Sequence, residues 1–249
     1  MSEQKLPMAE ADSGENGPGM PPIRVEASSF RLVSTLAIAG ALAGMAIVMV
    51  YQWTKPRIDA YKAKVLAEAV TQVLGGAERY DTVYVEDGAL TKQPADTTGL
   101  DKVYVGYDAN GQPRGVAMEA AEAGFQDVID LLFGYDPSKN DVIGMKVLTS
   151  NETPGLGAKI TYDSTFIGEF NGVGTPLEGV KKDRAKGGHD EVVMITGATI
   201  SSRAVIKIIN DRLDAIKKPV DTYWSTLGTA TAAAGSGAAA TSSTSGGGQ

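Results

Sequence analysis

The sequence predicts an α+β protein held to a membrane by one N-terminal helix, and three observations carry that prediction. A long uncharged apolar run follows a polar leader. Two hairpin signals occupy the middle of the chain. An amphipathic helical pattern closes the folded part.

The apolar run is "LVSTLAIAGALAGMAIVMVYQWT", between Arg31 and Lys55. As a helix it is roughly 30–35 Å long, enough to cross a bilayer core. It is longer than a signal-peptide core and begins only after thirty polar residues, so it reads as an uncleaved anchor over 31–55. Tyr51 and Trp53 stand at one end, where amphipathic aromatics mark an interface. Gly40 and Gly44 form a G-x-x-x-G with Ala37, Ala41 and Ala43 nearby. That spacing lets a second helix approach closely, although glycine and alanine are also simply common in such helices.

Residues 1–30, rich in Pro, Gly, Glu and Ser, bury too little apolar surface to repay their ordering and read as a disordered leader. Residues 225–249, an Ala/Gly/Ser/Thr tract, read as a disordered low-complexity tail. A folded domain is left over 56–224.

Pro56 suits a first helical turn, and Ile58, Tyr61, Val65, Leu66, Ala69, Val70, Val73 and Leu74 follow at helical spacing until Gly75-Gly76. "KVYVGYDANGQPRGVAMEA" places Asn110-Gly111 between β-rich flanks, a strong hairpin cue. "VIDLLFGYDPSKNDVIGMKVL" repeats the pattern around Asp136-Pro137 and Lys139-Asn140. From Ser201, the residues Ala204, Val205, Ile208, Ile209, Leu213 and Ile216 recur at three- and four-residue steps, predicting a helix that ends near Lys218-Pro219. An antiparallel sheet with flanking helices follows.

The formal charge of −7 argues against nucleic acid as a partner, because no basic surface would neutralise phosphates. With no cysteine in the chain, iron–sulfur ligation by cysteine, c-type haem attachment, structural Cys-zinc sites and disulfides all fall away. The single histidine, His189, leaves little scope for imidazole chemistry. Neither a metal site nor an acid–base catalytic residue is expected. A serine hydrolase built on Ser201 or Ser202, His189 and Asp190 lacks the G-x-S-x-G elbow.

Three loops hold candidate binding chemistry. "TGATISS" (Thr196–Ser202) opens the last helix. Unpaired N–H groups and partial positive charge at a helix start bind phosphate, and a threonine hydroxyl there can be esterified by one. Capping by Thr199 or Ser201 accounts for the same residues. "NETPGLGAKI" (Asn151–Ile160) projects Leu156 between two glycines, beside Glu152 and Thr153, as a wall for a planar ligand or simply as a tight loop. No Gly-Lys-Ser/Thr follows, so it is not a phosphate-binding P-loop. "GVKKDRAKGGHDE" gathers Lys181, Lys182, Arg184 and Lys186, either to steady an anion or as a solvated loop.

Together, the anchor followed by "TKPRI", then "ETPGLG", then "GATISSRAV" resembles the G subunit of the Rnf electron-transport complex. That family is related to the C subunit of sodium-pumping NADH:quinone reductase. The resemblance spans about Arg31 to Lys218, and "GFQDVIDLLFGYD" and "SSRAV" fit the Rnf protein better than its cousin. It implies an FMN-binding domain in which FMN is joined through a phosphoester to the last threonine of the S/T-G-A-T motif, here Thr199. Thr196, Gly197 and Ala198 complete that motif. The "ETPGLG" loop is implied to lie against the isoalloxazine ring through Glu152, Thr153, Gly155 and Leu156. A lysine before the motif, Lys181 or Lys182, is implied to help hold the flavin. The family's motif usually carries Asp where this chain has Val193.

The implied function is an electron relay in an ion-translocating ferredoxin:NAD+ oxidoreductase. The implied partners are the other membrane subunits, with a flavin transferase during maturation. The same domain in a sodium-pumping quinone reductase or another extracytoplasmic chain, or a flavin-free tethered scaffold, are the competing readings. Charge counts put the domain in the cytoplasm, with Lys55, Arg57, Lys62 and Lys64 beyond the anchor against Arg24 and Arg31 before it. The resemblance implies the extracytoplasmic side of the cell membrane, and that is the expectation adopted.

Overall fold

The computed structural model describes residues 29–239, with side chains through residue 227. Residues 1–28 and 240–249, which hold nearly all of the expected leader and the end of the expected tail, lie outside the described residues. The chain divides into two units, one ending at Arg57 and one beginning at Ile58.

Helix α1 runs Ser29–Val73, with an uncharged segment apolar enough to cross a membrane and none of it buried within the protein. Pro56 does not start a separate helix, as the sequence predicts, but lies inside α1. The missing N–H removes one hydrogen bond, and the helix-compatible runs on both sides carry it through. Past Val73 the chain closes in a Schellman turn: Gly76 N–H donates to Thr71 O at 2.9 Å and Gly75 N–H to Gln72 O at 3.1 Å. Gly75 takes φ +63° there, which is why a glycine follows this helix.

In the second unit, seven antiparallel strands form one sheet in the order β2-β1-β3-β4-β5-β6-β7. They are β1 Arg79–Glu86, β2 Ala89–Thr91, β3 Asp101–Tyr107, β4 Pro113–Ala123, β5 Val128–Asp136, β6 Asp141–Thr149 and β7 Val173–Gly174. Both expected hairpins are present. At the β3–β4 turn Asp108 Oδ1 accepts from the N–H groups of Asn110 and Gln112. At the β5–β6 turn Asp136 Oδ1 accepts from Ser138 N–H, and Asn140 takes φ +64°.

Strand alternation divides the core. Val103, Val105, Val116, Met118, Leu131 and Phe133 point to one face, where α3 (Thr199–Ala239) packs with Val205, Ile208, Ile209, Leu213 and Ile216. Tyr104, Ala117 and Leu132 point to the other, against Ala69, Val70, Val73 and Leu74 at the end of α1. The class is α+β, as predicted.

Helix α3 does not stop at Lys218-Pro219 but continues through Pro219. Val220 is buried and Tyr223, Trp224 and Leu227 pack against the same core, so the apolar stripe outlasts the proline. Trp224 Nε1 also donates to Ser138 Oγ at 2.9 Å. Residues 225–239, within the expected tail, continue this helix.

Between β6 and α3 the chain forms a 3-10 turn at Gly157–Thr161 and the short helix α2 (Ser164–Gly168), whose N-terminus Asp163 caps. A two-stranded parallel pair, β8 (Glu178–Val180) and β9 (Glu191–Val193), then leads into the Thr196–Ser202 segment.

Candidate functional site

The Thr196–Ser202 segment starts α3 by a turn rather than by a capped entry. Ala198 N–H donates to Ile195 O at 3.0 Å, and Gly197, third in that four-residue turn, has φ +84°. Positive φ at the third position is the requirement of a type II turn, which glycine meets without strain. The first helical bond runs from Ser202 N–H to Ala198 O at 2.9 Å, making Thr199 the first residue of the helix.

Ser201 does not cap the helix, contrary to the capping expectation, and its neighbour Ser202 does not take its place. Ser202 Oγ donates to Ala198 O at 3.0 Å and accepts from Ile195 N–H at 3.2 Å, locking the turn. Ser201 Oγ donates to Glu152 Oε2 at 2.8 Å. Both serines sit too far into the helix to reach its free N–H groups, and Ala198, at the cap position, has no side-chain oxygen. Among the described residues, the N–H groups of Thr199, Ile200 and Ser201 therefore meet no acceptor, and the half-buried Thr199 hydroxyl has no partner. Unpaired donors at a helix start beside a free hydroxyl can receive a phosphate.

The Asn151–Gly157 loop comes to the same place. A Cβ built on Gly197 would stand 4.0 Å from Leu156 Cδ2. Leu156 is 52% exposed and Ile200 55%. Glu152, by contrast, is buried, and both carboxylate oxygens are engaged inside the protein: Oε1 accepts from the N–H groups of Phe125 (2.7 Å) and Gln126 (3.0 Å), Oε2 from Ser201. Burial alone would raise its pKa, but the hydrogen bonds from Gln126, Ser201 and Phe125 outweigh it and hold the carboxyl below its ordinary value. Thr153 Oγ1 donates to Gln126 Oε1 at 2.7 Å, and its carbonyl accepts from Leu156 and Ala158 N–H.

The structure thus gathers Glu152, Thr153, Leu156, Gly197 and Thr199. Lys182 is exposed. Its neighbour Lys181 lines an open cleft of mixed charge, with Arg184, Lys186 and, from the first turns of α3, Arg203 on one side of the balance and Glu178, Asp183 and Glu191 on the other. Sequence reasoning misses Arg203, four residues beyond Thr199 and so on the same side of α3. It also misses Phe125, 64% exposed beside the Glu152 tether, whose signal is an aromatic in a Gly-Phe-Gln-Asp turn. Val193 N–H donates to Glu169 Oε2 at 3.2 Å, so a carboxylate just past the end of α2 stands at the backbone of that position. The hydrolase reading finds no geometry: His189 Nε2 meets Asp141 Oδ1 at 3.0 Å, and neither serine is bonded to it.

The chain thus joins a helix apolar enough to span a membrane to an α+β domain whose last helix starts with free donors beside exposed apolar side chains. The family model for an FMN-binding domain matches residues 124–214, from the Phe125 turn through α3. The G subunit of the ion-translocating oxidoreductase complex of Methanosarcina acetivorans is 29% identical over 188 residues, covering 75% of this chain and 93% of that one. The corresponding G subunit of Shewanella loihica is 31% identical over 190 residues, covering 75% and 88%. In fold, the crystal structure of Shewanella oneidensis NqrC is similar with a TM-score of 0.54 at 16% identity, covering 68% of this chain and 99% of that one. The chain belongs to the family of G subunits of ion-translocating oxidoreductase complexes.

Proposed function

We propose that this chain is a single-span membrane subunit that carries FMN as a phosphoester on Thr199 and relays electrons within an ion-translocating ferredoxin:NAD+ oxidoreductase. The observation that carries the reading is the start of α3, where an unpartnered threonine hydroxyl stands beside three unpaired N–H groups.

The residues present fit FMN. Thr199 offers the ester oxygen, and the N–H groups of Thr199, Ile200 and Ser201 offer donors to phosphate oxygens without any side-chain cap competing. Gly197 keeps the backbone bare in front of Leu156. Leu156, Phe125 and Ile200 expose apolar surface that a planar aromatic ring would cover. Lys181 and Arg203 offer cations to a phosphate from the neighbouring cleft, which Glu178, Asp183 and Glu191 also line. Bound FMN supplies the redox chemistry, and the chain supplies binding, orientation and electrostatics.

Attachment requires a flavin transferase: the Thr199 oxygen attacks the FMN-side phosphorus of FAD, loses its proton, and AMP departs. We place the domain on the extracytoplasmic side, where a covalent tether keeps the flavin from being lost to the surroundings. Protease digestion of intact cells that leaves the domain protected would reverse that placement.

Intact mass of the purified chain tests the attachment. The expected increase is one FMN less one water, with a fluorescent band in a denaturing gel that disappears in Thr199→Ala. A band that survives that substitution refutes Thr199 as the site. A wild-type chain with neither mass nor band carries no covalent flavin, and one that also lacks flavin absorbance as the native protein is a tethered scaffold.

A further inference from the structure

Three consecutive residues of the Asn151–Gly157 loop reach across to the β4–β5 turn, and only the middle one continues to α3. Asn151 Nδ2 donates to Asp127 Oδ2 at 2.6 Å, and Thr153 Oγ1 to Gln126 Oε1 at 2.7 Å. Between them, Glu152 takes the Phe125 and Gln126 N–H groups on Oε1 and the Ser201 hydroxyl on Oε2. The carboxylate is closely walled. A Cβ on Gly157 would stand 2.3 Å from Oε2, and one on Gly124 2.4 Å from Oε1, so both neighbouring segments need glycine to approach it. Each segment it ties presents an exposed apolar side chain near the tether: Phe125, Leu156 and Ile200.

We infer that Glu152 is the positioning residue of the flavin site: its buried carboxylate holds the β4–β5 turn, the Leu156 loop and the first turn of α3 in one arrangement without itself touching the ring. A buried carboxylate is tolerated only where hydrogen bonds satisfy it, and these bonds come from two of the segments that carry the apolar rim, the β4–β5 turn and α3, while Glu152 itself belongs to the third. Binding groups are held to productive geometry by such supporting hydrogen bonds, more than by their own contacts. The inference rests on the FMN reading above.

The test is a series at position 152 in full-length, flavin-loaded protein in detergent, with Asn151→Ala as the control. Intact mass gives FMN content, while visible circular dichroism and flavin fluorescence report the ring environment. Glu152→Gln keeps the length, keeps an acceptor for the two N–H groups, and can donate to Ser201 Oγ. Glu152→Asp keeps the charge but is one methylene short. Positioning predicts that Glu152→Gln stays within about twofold of wild type in both signals, whereas Glu152→Asp and Glu152→Ala raise fluorescence at least about threefold. Asn151→Ala behaves as wild type, because the link to α3 survives. Ser201→Ala, which removes the donor and leaves Glu152, reproduces the change and serves if Glu152→Ala does not fold.

Loss of the wild-type signals in Glu152→Gln overturns the inference, since the charge would then be what matters. So does an unchanged spectrum throughout the series, or an Asn151→Ala change as large as that of Glu152→Asp. A wild-type chain lacking the FMN mass is a different failure, that of the flavin reading itself.

Discussion

The carbonyl oxygen of Val73 lies directly over Gly134, so that a Cβ at that glycine would stand 2.3 Å from it. A Cβ on Gly144, paired with Gly134 across β5 and β6, would stand 2.7 Å from the same carbonyl. The end of α1 is thus seated on a bare patch of sheet, with Leu74 filling the space over Gly106 and Gly115 in the neighbouring strands. Backbone is the obstacle at Gly134, and backbone cannot swing aside as a side chain can. Gly134→Ala is expected to destabilise the domain by about 1–3 kcal/mol, the usual cost of overpacking. Thermal unfolding should show it as a drop of several degrees against a neutral Gly168→Ala, where a Cβ meets nothing within 4 Å. Equal melting temperatures for the two variants would mean that α1 does not press on the sheet there.

The same face of the sheet carries a pH dependence. Asp130 is pushed up to about 6, first by burial and then by the charge of Glu119, with Lys62 pulling the other way. Its Oδ1 is buried without a hydrogen-bond partner. An acid whose pKa is higher folded than unfolded binds more protons in the folded state, so its contribution falls as pH rises. The window lies between the ordinary value near 3.8 and the folded value near 6, and the penalty is fully present above it. Asp130→Asn should therefore raise the melting temperature at pH 7.5 and raise it less at pH 5. A gain that does not change between those two conditions would assign the effect to packing instead.

In the membrane segment, a Cβ added at Gly40 or Gly44 meets nothing within 4 Å. That open face fits close approach by a helix of another subunit. The double substitution Gly40→Leu and Gly44→Leu should abolish co-purification with the other complex subunits while leaving the FMN mass of the chain intact. Retained co-purification would place the contact on another face of the helix.

What can be read from the sequence follows the range of the signals. Local signals are reliable for the existence of an element. The uncharged run of α1 and the stripe Val205–Ile216 each mark a helix and its start, and the Asn110-Gly111 and Asp136–Asn140 turns each mark a hairpin, while the ends of both helices lie well beyond the expected ones. Asp87-Gly88 offers an equally strong cue, and the β1–β2 hairpin turns on it. Both prolines mislead, because Pro56 and Pro219 speak only for their immediate neighbours, while Val220 and Trp224 hold α3 together by packing on a distant sheet. The site divides in the same way. The turn at Gly197 and the helix start after it are legible because both are local, whereas the role of Thr199 comes only from the resemblance. The bond from Ser201 to Glu152 spans 49 residues, and no periodicity announces it. The free N–H groups are hidden as well, since "TISS" reads as a capped start until the serines are seen bonding elsewhere.

Those bonds make the four hydroxyls of the segment separable by experiment. Ser202 Oγ is tied to Ile195 and Ala198, and Ser201 Oγ to Glu152, so neither lone hydroxyl is available for esterification. Thr196 is exposed and lies second in the glycine turn, before the helix, while Thr199 alone stands at the first helical residue, beside the unpaired N–H groups. Thr199→Ser keeps the oxygen there and should retain the FMN mass. Thr199→Ala should lose it, and Thr196→Ala should keep it because the helix start is unchanged. Ser202→Ala should also keep the flavin but cost stability, about 1 kcal/mol for a buried hydroxyl that both donates and accepts. Intact mass and thermal unfolding on the four variants check this pattern. FMN retained in Thr199→Ala and lost in Thr196→Ala would move the ester to the other threonine and leave the free helix start without a role.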